Sequence, residues 1–101
     1  MKEERNYFVY ILTNFNNTTL YTGVTNNLAR IIMEHREGKI EGFTKKYKLT
    51  KLVYYELFNY INDAIYREKQ IKAGSRKKKE DLIKDINRDW QDLFENLVGS
   101  E

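Results

Sequence analysis

Phe8-Val9-Tyr10-Ile11-Leu12-Thr13-Asn14-Phe15-Asn16-Asn17-Thr18-Thr19-Leu20-Tyr21-Thr22-Gly23 places two aromatic-centred segments on either side of an Asn-rich turn. Residues 6–13 are mostly aromatic or β-branched, and both alternating sets (Tyr7, Val9, Ile11 and Phe8, Tyr10, Leu12) are apolar or aromatic. That pattern predicts a central strand covered on both faces. Residues 13–18 tolerate turn geometry, so residues 18–24 read as an antiparallel partner. Gly23 marks a bulge, a close backbone approach or the end of that strand. The hairpin thus presents Tyr10 and Tyr21 on neighbouring strands, where they can position a water and a phosphate or simply pack.

Outward from the hairpin, Thr25-Asn26-Asn27 supplies N-cap residues for a helix over 28–36 that ends near Gly38. Residues 38–48, with Gly38, Gly42 and several lysines, read as a loop. Residues 50–58 give a third strand dense in Val, Tyr and Leu. Asn62-Asp63 precede a helix over 64–73, which Gly74 can end in the left-handed conformation. Ser75 can cap a further helix reaching about residue 86, and a short helix over 89–97 would dock Trp90, Leu93, Phe94 and Leu97 on the core. The order strand, strand, helix, strand, helix, helix predicts an α+β fold, a small three-stranded antiparallel or mixed sheet flanked by helices.

A chain of 101 residues with no repeat, proline or low-complexity linker is expected to be one domain over 1–101, with a core at about 6–86 and a helical extension at about 87–98. It contains no cysteine, which removes disulfides, thiol chemistry and thiolate metal sites. The charged start and the short apolar run after it give no signal peptide or membrane span, so a cytoplasmic, soluble protein, monomeric by default, is expected. Net charge is only +3, yet residues 67–79 hold seven basic side chains against Glu68 alone, whereas residues 80–101 hold seven acids against Lys84 and Arg88. The basic segment suits a polyanion such as nucleic acid, or it is a solvated helix face.

Two positions stand out of pattern. Glu68 falls inside the stripe Ile61, Ala64, Ile65, Ile71 and Lys72, on the face a helix turns toward a sheet. A carboxylate there must be paired, with Lys72 one turn on as the obvious partner, or must hold a divalent cation. His35, the single histidine, lies on the face shared by Leu28, Ile31 and Ile32, either as a satisfied, partly buried side chain or as an acid, base or phosphate contact. Among eight tyrosines most must pack, and Tyr7, Tyr54 and Tyr55 read as structural. A tyrosine hydroxyl, with an ordinary pKa near ~10, needs a cation nearby to act as a base at neutral pH. Tyrosine, histidine and one carboxylate make chemical sense together around a metal and a phosphate.

The chain resembles the GIY-YIG nuclease superfamily, and within it the small bacterial proteins of the URI type. Phe8-Val9-Tyr10 stands where GIY stands and Tyr21-Thr22-Gly23 where YIG stands. Further blocks match in order: Val24 to Leu28, Glu34-His35, Gly42 to Tyr47, Leu52 to Glu56, Ala64 to Lys72, Ser75 to Lys79 and Trp90 to Leu93. The resemblance implies a phosphodiesterase that hydrolyses DNA, duplex or branched, with one divalent cation, Mg²⁺ or Mn²⁺, and no small-molecule cofactor. It makes Glu68 the metal ligand, Tyr10 and Tyr21 the motif tyrosines, one of which positions or deprotonates the attacking water, and His35 an assistant in proton transfer. In relatives a pair of arginines follows the leucine of the first helix, the second holding the scissile phosphate. Here they align with Arg30 and Ile31. One helical residue is a rotation of about 100°, so Arg30 points elsewhere and is a weak substitute.

Other cations on offer are Lys45, Lys46 and Arg67, while Lys72, Arg76, Lys77, Lys78 and Lys79 complete the set expected to touch DNA backbone. With no appended recognition module, the expectation is an endonuclease of low sequence specificity that selects, if anything, by shape. Ile31 motivates an alternative, a catalytically impaired nucleic-acid-binding relative. A weaker third reading makes the tail around residues 90–97 a partner-binding surface instead of a packing element.

Overall fold

The computed structural model describes residues 6–98, so residues 1–5 and 99–101 of the expected domain lie outside the described residues. The chain forms β1 (Tyr7–Thr13), β2 (Leu20–Thr25), α1 (Leu28–Arg36), α2 (Phe43–Lys46), β3 (Lys51–Phe58), α3 (Ile61–Ala73), α4 (Arg76–Ile86) and α5 (Phe94–Val98). The sheet order is β2-β1-β3, antiparallel throughout. The doubly apolar strand is therefore central, as its pattern requires.

Alternation along β1 divides the core in two. Val9 and Ile11 join Val53, Tyr54, Ala64, Ile71 and Ile83 on the face covered by α3 and α4. Tyr10 and Leu12 join Leu28, Ile32, Leu49, Leu52 and Phe94 on the face covered by α1 and α5. The bulge lies in β3, not at Gly23: Ile11 pairs with Tyr54 but Leu12 with Leu52. The extra residue, Val53, lets two consecutive side chains, Val53 and Tyr54, enter the same cluster.

Four local expectations are corrected. The segment 38–48 contains α2, a single turn too short to show a periodicity, and Lys48, with φ 57°, turns the chain from it into β3. α3 begins at Ile61 with Tyr60 as its N-cap, and Asp63 sits in the first turn, where a carboxylate complements the helix dipole. Gly74 is extended, with φ −79° and ψ 164°, and not left-handed, and it leads directly into Ser75, which caps α4 by accepting from the Lys78 N–H at 3.2 Å. The last helix is only Phe94–Val98. Ahead of it the chain is irregular and clamped by Asn87, whose amide donates to Val53 O (3.0 Å) and Gln91 O (2.8 Å), with Trp90 left-handed at φ 56°. This segment carries the chain from one sheet face to the other. Trp90 packs on the α3/α4 cluster and Leu93, Phe94 and Leu97 on the α1/α5 cluster, so the tail's apolar side chains are spent on the core. Among the described residues, no helix is long and apolar enough to cross a membrane.

Candidate active site

Strand pairing places Gly23 directly across from Tyr10, and a Cβ on Gly23 would lie 2.5 Å from the Tyr10 hydroxyl. The glycine is thus required by space and not by dihedral: the Tyr10 ring lies over its backbone. Tyr21, two residues earlier on β2, shares the face of Tyr10, with ring centroids 6.2 Å apart. α1 begins with Asn27 accepting from the Arg30 N–H (3.1 Å), and that start carries His35, two turns on, to both tyrosines, 6.1 Å from Tyr10 and 6.0 Å from Tyr21.

His35 is 6% exposed and both ring nitrogens have partners: Nε2 lies 3.3 Å from the Tyr10 hydroxyl and Nδ1 3.0 Å from Thr44 Oγ1. Burial lowers the histidine pKa, against a smaller opposing pull from Glu34. Burial raises the Tyr10 pKa far above its usual value, reinforced by Tyr21 and by the charge of Glu68. Both shifts favour the neutral forms. In the tautomer with the proton on Nδ1, the imidazole donates to Thr44 and Nε2 accepts from the Tyr10 O–H.

α3 belongs to the other layer, where Ile71 packs, yet its next residue reaches this site. Lys72 Nζ stands 5.9 Å from the Tyr21 ring centroid and 2.7 Å from Glu68 Oε2. The Glu68 side chain is 13% exposed, which a carboxylate tolerates only with such a partner or a cation. The two layers therefore meet at the β2 edge, and Tyr10, Tyr21, His35, Glu68 and Lys72 come together there.

The remaining expected site residues are placed elsewhere. Arg30 lies on an exposed face, 3.9 Å from Glu34. Ile31 is partly buried against the α1/α5 cluster, which Tyr21 also abuts. Arg67 gives its guanidinium to Glu56 (2.9 Å) and Gln70, and Glu56 also accepts from the Tyr54 hydroxyl, whose pKa burial and this contact push up to about 12. Arg76 donates to the Thr18 and Asn17 carbonyls, pairs with Glu80 and lies over Trp90, tying α4 to the hairpin turn. Lys77 pairs with Asp81, and Lys79 donates to the Lys72 and Gly74 carbonyls. Lys78 lines a groove between α3 and α4 that also holds Asp81 and Asp85. Much of the basic run is thus engaged within the molecule. Lys45 pairs with Glu41, and Lys46 lies over the Tyr47 ring at 5.3 Å.

Thr44 is the site residue that patterning overlooks. Its partner His35 is nine residues away across an irregular connection, and only the matched block from Gly42 to Tyr47 hinted at it.

A sequence profile of the GIY-YIG catalytic domain matches residues 6–81. The chain belongs to the GIY-YIG family. That stretch contains all the residues gathered at the β2 edge, and the GIY-YIG domain is the catalytic domain of a nuclease family. Relatives include a UPF0213 protein of Natronomonas pharaonis, 39% identical over 78% of this chain and 92% of its own length. Another is a UPF0213 protein of Syntrophus aciditrophicus, 42% identical over 76% of this chain and 88% of its own. The solution structure of a UPF0213 protein from Bacillus halodurans aligns with a TM-score of 0.56 at 30% identity, covering 89% of this chain and 95% of that one.

GIY-YIG nucleases generally use a divalent metal, and the site's donor set can be tested against that need. Among the described residues, no three His, Cys, Asp or Glu side chains are gathered to hold an ion by protein alone. A single carboxylate fits a hard cation that keeps most of its water and takes phosphate oxygens as further ligands. Glu68 is such a group.

Proposed function

We propose that this chain is a metal-dependent DNA endonuclease of low sequence specificity, working as a single domain, monomeric and cytoplasmic, on duplex or branched DNA. The observation that carries the proposal is the hydrogen-bonded series Tyr10, His35, Thr44 set beside a nearly buried carboxylate and its lysine. Family membership supports the reaction class, and the geometry supports a task for each group.

The Tyr10 hydroxyl donates to His35 Nε2 and keeps its oxygen lone pairs for an attacking water. As the water oxygen bonds to phosphorus, its proton passes to Tyr10 while the Tyr10 proton passes to His35, so no free tyrosinate forms. That matters because burial and Glu68 make the tyrosinate costly. Thr44 fixes the imidazole tautomer by accepting from Nδ1–H. The bond from phosphorus to the leaving sugar oxygen breaks, and that oxygen takes a proton from solvent. A divalent cation, Mg²⁺ or Mn²⁺, held by Glu68 would offset charge building on the phosphate.

Lys72 takes the place of the arginine that Ile31 lacks. Its ammonium already stands between Glu68 and the Tyr21 ring, whereas Arg30 and Arg67 are paired on other surfaces. A lysine acts as a point charge and not as a bidentate fork, so slower turnover than with arginine is expected.

The test is cleavage of plasmid, single-stranded and branched DNA in Mg²⁺ or Mn²⁺. Glu68→Ala should abolish it, and equal cutting by that variant would reveal a contaminant. Lys72→Met should lower it by about 10²-fold, as loss of one transition-state cation does, with Ile31→Arg restoring it in the same background. The second reading, a DNA-binding relative with impaired chemistry, is favoured by one observation, the apolar packing of Ile31. It predicts a parent that binds DNA without cutting and an Ile31→Arg variant that cuts. If neither protein cuts any substrate, the nuclease proposal fails.

A further inference from the structure

A row of aromatic rings leaves the site and ends in a basic groove that the proposed chemistry does not use. The Tyr21 ring is 6.5 Å from Phe43 on α2, and Phe43 is 4.9 Å from Tyr47. Phe43 is 48% exposed and Tyr47 43% exposed. Tyr47 also lines a groove of about 530 Å³ between the hairpin turn and the start of β3, opposite Phe15 at the hairpin tip. Phe15 is 89% exposed, so its ring contributes almost nothing to the core. Residues 45–51 hold four lysines and no acid. Of these, Lys48 and Lys51 line the groove and Lys46 lies over the Tyr47 ring. The one acid on the groove wall, Asp92, is engaged by Arg36 and by the Leu52 N–H.

Exposed rings interleaved with lysines are what an unpaired nucleic-acid strand requires: each base offers a face to stack, and each phosphate a charge to neutralise. A duplex hides its base faces and would gain only from the lysines. We propose that Phe43, Tyr47 and Phe15, flanked by Lys46, Lys48 and Lys51, form a stacking platform for single-stranded DNA that leads into the Tyr21 end of the active site. The proposal rests on the nuclease reading for its direction, since the platform would select substrates with an unpaired strand beside the scissile phosphate.

The experiment measures binding in EDTA, where no cutting occurs. Fluorescence anisotropy compares a labelled oligo(dT) of about 12 nucleotides, within the span one small domain covers, with duplex DNA of the same length. The full-length parent should prefer oligo(dT). Phe15→Ala, at a position too exposed to disturb the fold, should weaken oligo(dT) binding about tenfold, the loss expected for one stacked base, and leave duplex binding within about twofold. Phe15→Trp should restore the affinity. Lys48→Gln should reduce the salt dependence of oligo(dT) binding by about 0.7 in the log–log slope. Equal affinity for the two probes, or oligo(dT) binding unchanged in both Phe15→Ala and Tyr47→Ala, would overturn the platform. A protein that cuts no DNA yet shows the Phe15-dependent preference supports the platform while removing the nuclease reading. One that cuts DNA while Phe15→Ala and Tyr47→Ala bind like the parent removes the platform alone.

Discussion

The two faces of β1 are built from the same strand but to different ends. Toward α3 and α4 it sends Val9 and Ile11 into a cluster whose buried side chains are apolar except for the Tyr54 hydroxyl. Toward α1 and α5 it sends Leu12 into an equally apolar group, but also Tyr10, whose hydroxyl meets a buried imidazole backed by a buried threonine. Burying hydroxyls and an imidazole costs free energy that their mutual hydrogen bonds at best offset, whereas each buried methylene adds about 0.8 kcal/mol. One face therefore stabilises, and the other spends part of that stability on arranging polar groups. Substitutions should separate along this line, into losses of folding and losses of chemistry.

The largest separation is expected from Glu68→Gln. Cleavage should drop by roughly 10³-fold or more through loss of the cation-binding charge, while urea unfolding moves by no more than about 1 kcal/mol. A large fall in stability together with residual cleavage would erase the contrast. Ile83→Ala is its mirror image: emptying a fully buried position should cost about 2–5 kcal/mol, with turnover per folded molecule unchanged.

Gly23→Ala lies on the border between the two classes. Its Cβ would stand 2.5 Å from the Tyr10 hydroxyl, so the ring must move away from His35. We expect about 1–3 kcal/mol of destabilisation and cleavage lower by roughly 10²-fold, since displacing a catalytic group by about 1 Å has that effect. A smaller loss follows for Thr44→Val, which keeps the volume but removes the acceptor for Nδ1–H. Cleavage should fall by about tenfold to a hundredfold, with its pH profile displaced as the imidazole loses its fixed tautomer.

The smallest effect concerns pH. Burial depresses the His35 pKa, so the unfolded chain takes up a proton before the folded one does. Stability should therefore hold above about pH 6.5, decline as pH falls through that value, and level off below the depressed native pKa. Urea midpoints across this range should show the decline in the parent and in Ile83→Ala but less of it in His35→Gln. Cleavage should fall over the same acid side, because a protonated His35 cannot accept the Tyr10 proton.

Patterning was a good guide to the sheet because burial imposes a period on sequence. β1 is apolar on both sides and became the central strand, and Ser75 carried a capping residue's signature and caps α4. Glu68 and His35 were visible as polar residues on apolar stripes. What no stripe revealed was how they are partnered. The ion pair of Glu68 with Lys72 and the cation-binding alternative give the same sequence pattern, and in the structure the ion pair is present. Arg67 and Arg76 looked like free cations in a basic run, but their counter-groups, Glu56 and the Asn17 and Thr18 carbonyls, come from strands and turns distant along the chain. α2 escaped because one turn leaves too few residues for a period to register.

The sequence by itself determined the order of the elements other than α2, the central strand, the two tyrosine motifs and the family, since all of these reside in local spacing or in ordered blocks along the chain. Only the tertiary structure decided that Lys72 shares the site while Arg30 and Arg67 do not, that Thr44 backs His35, and that Gly23 is needed for the room it leaves above its backbone. The physical reason is that a period records which face of an element is buried, whereas a site depends on which faces of different elements converge, here on two helices from opposite layers meeting at the edge of one strand.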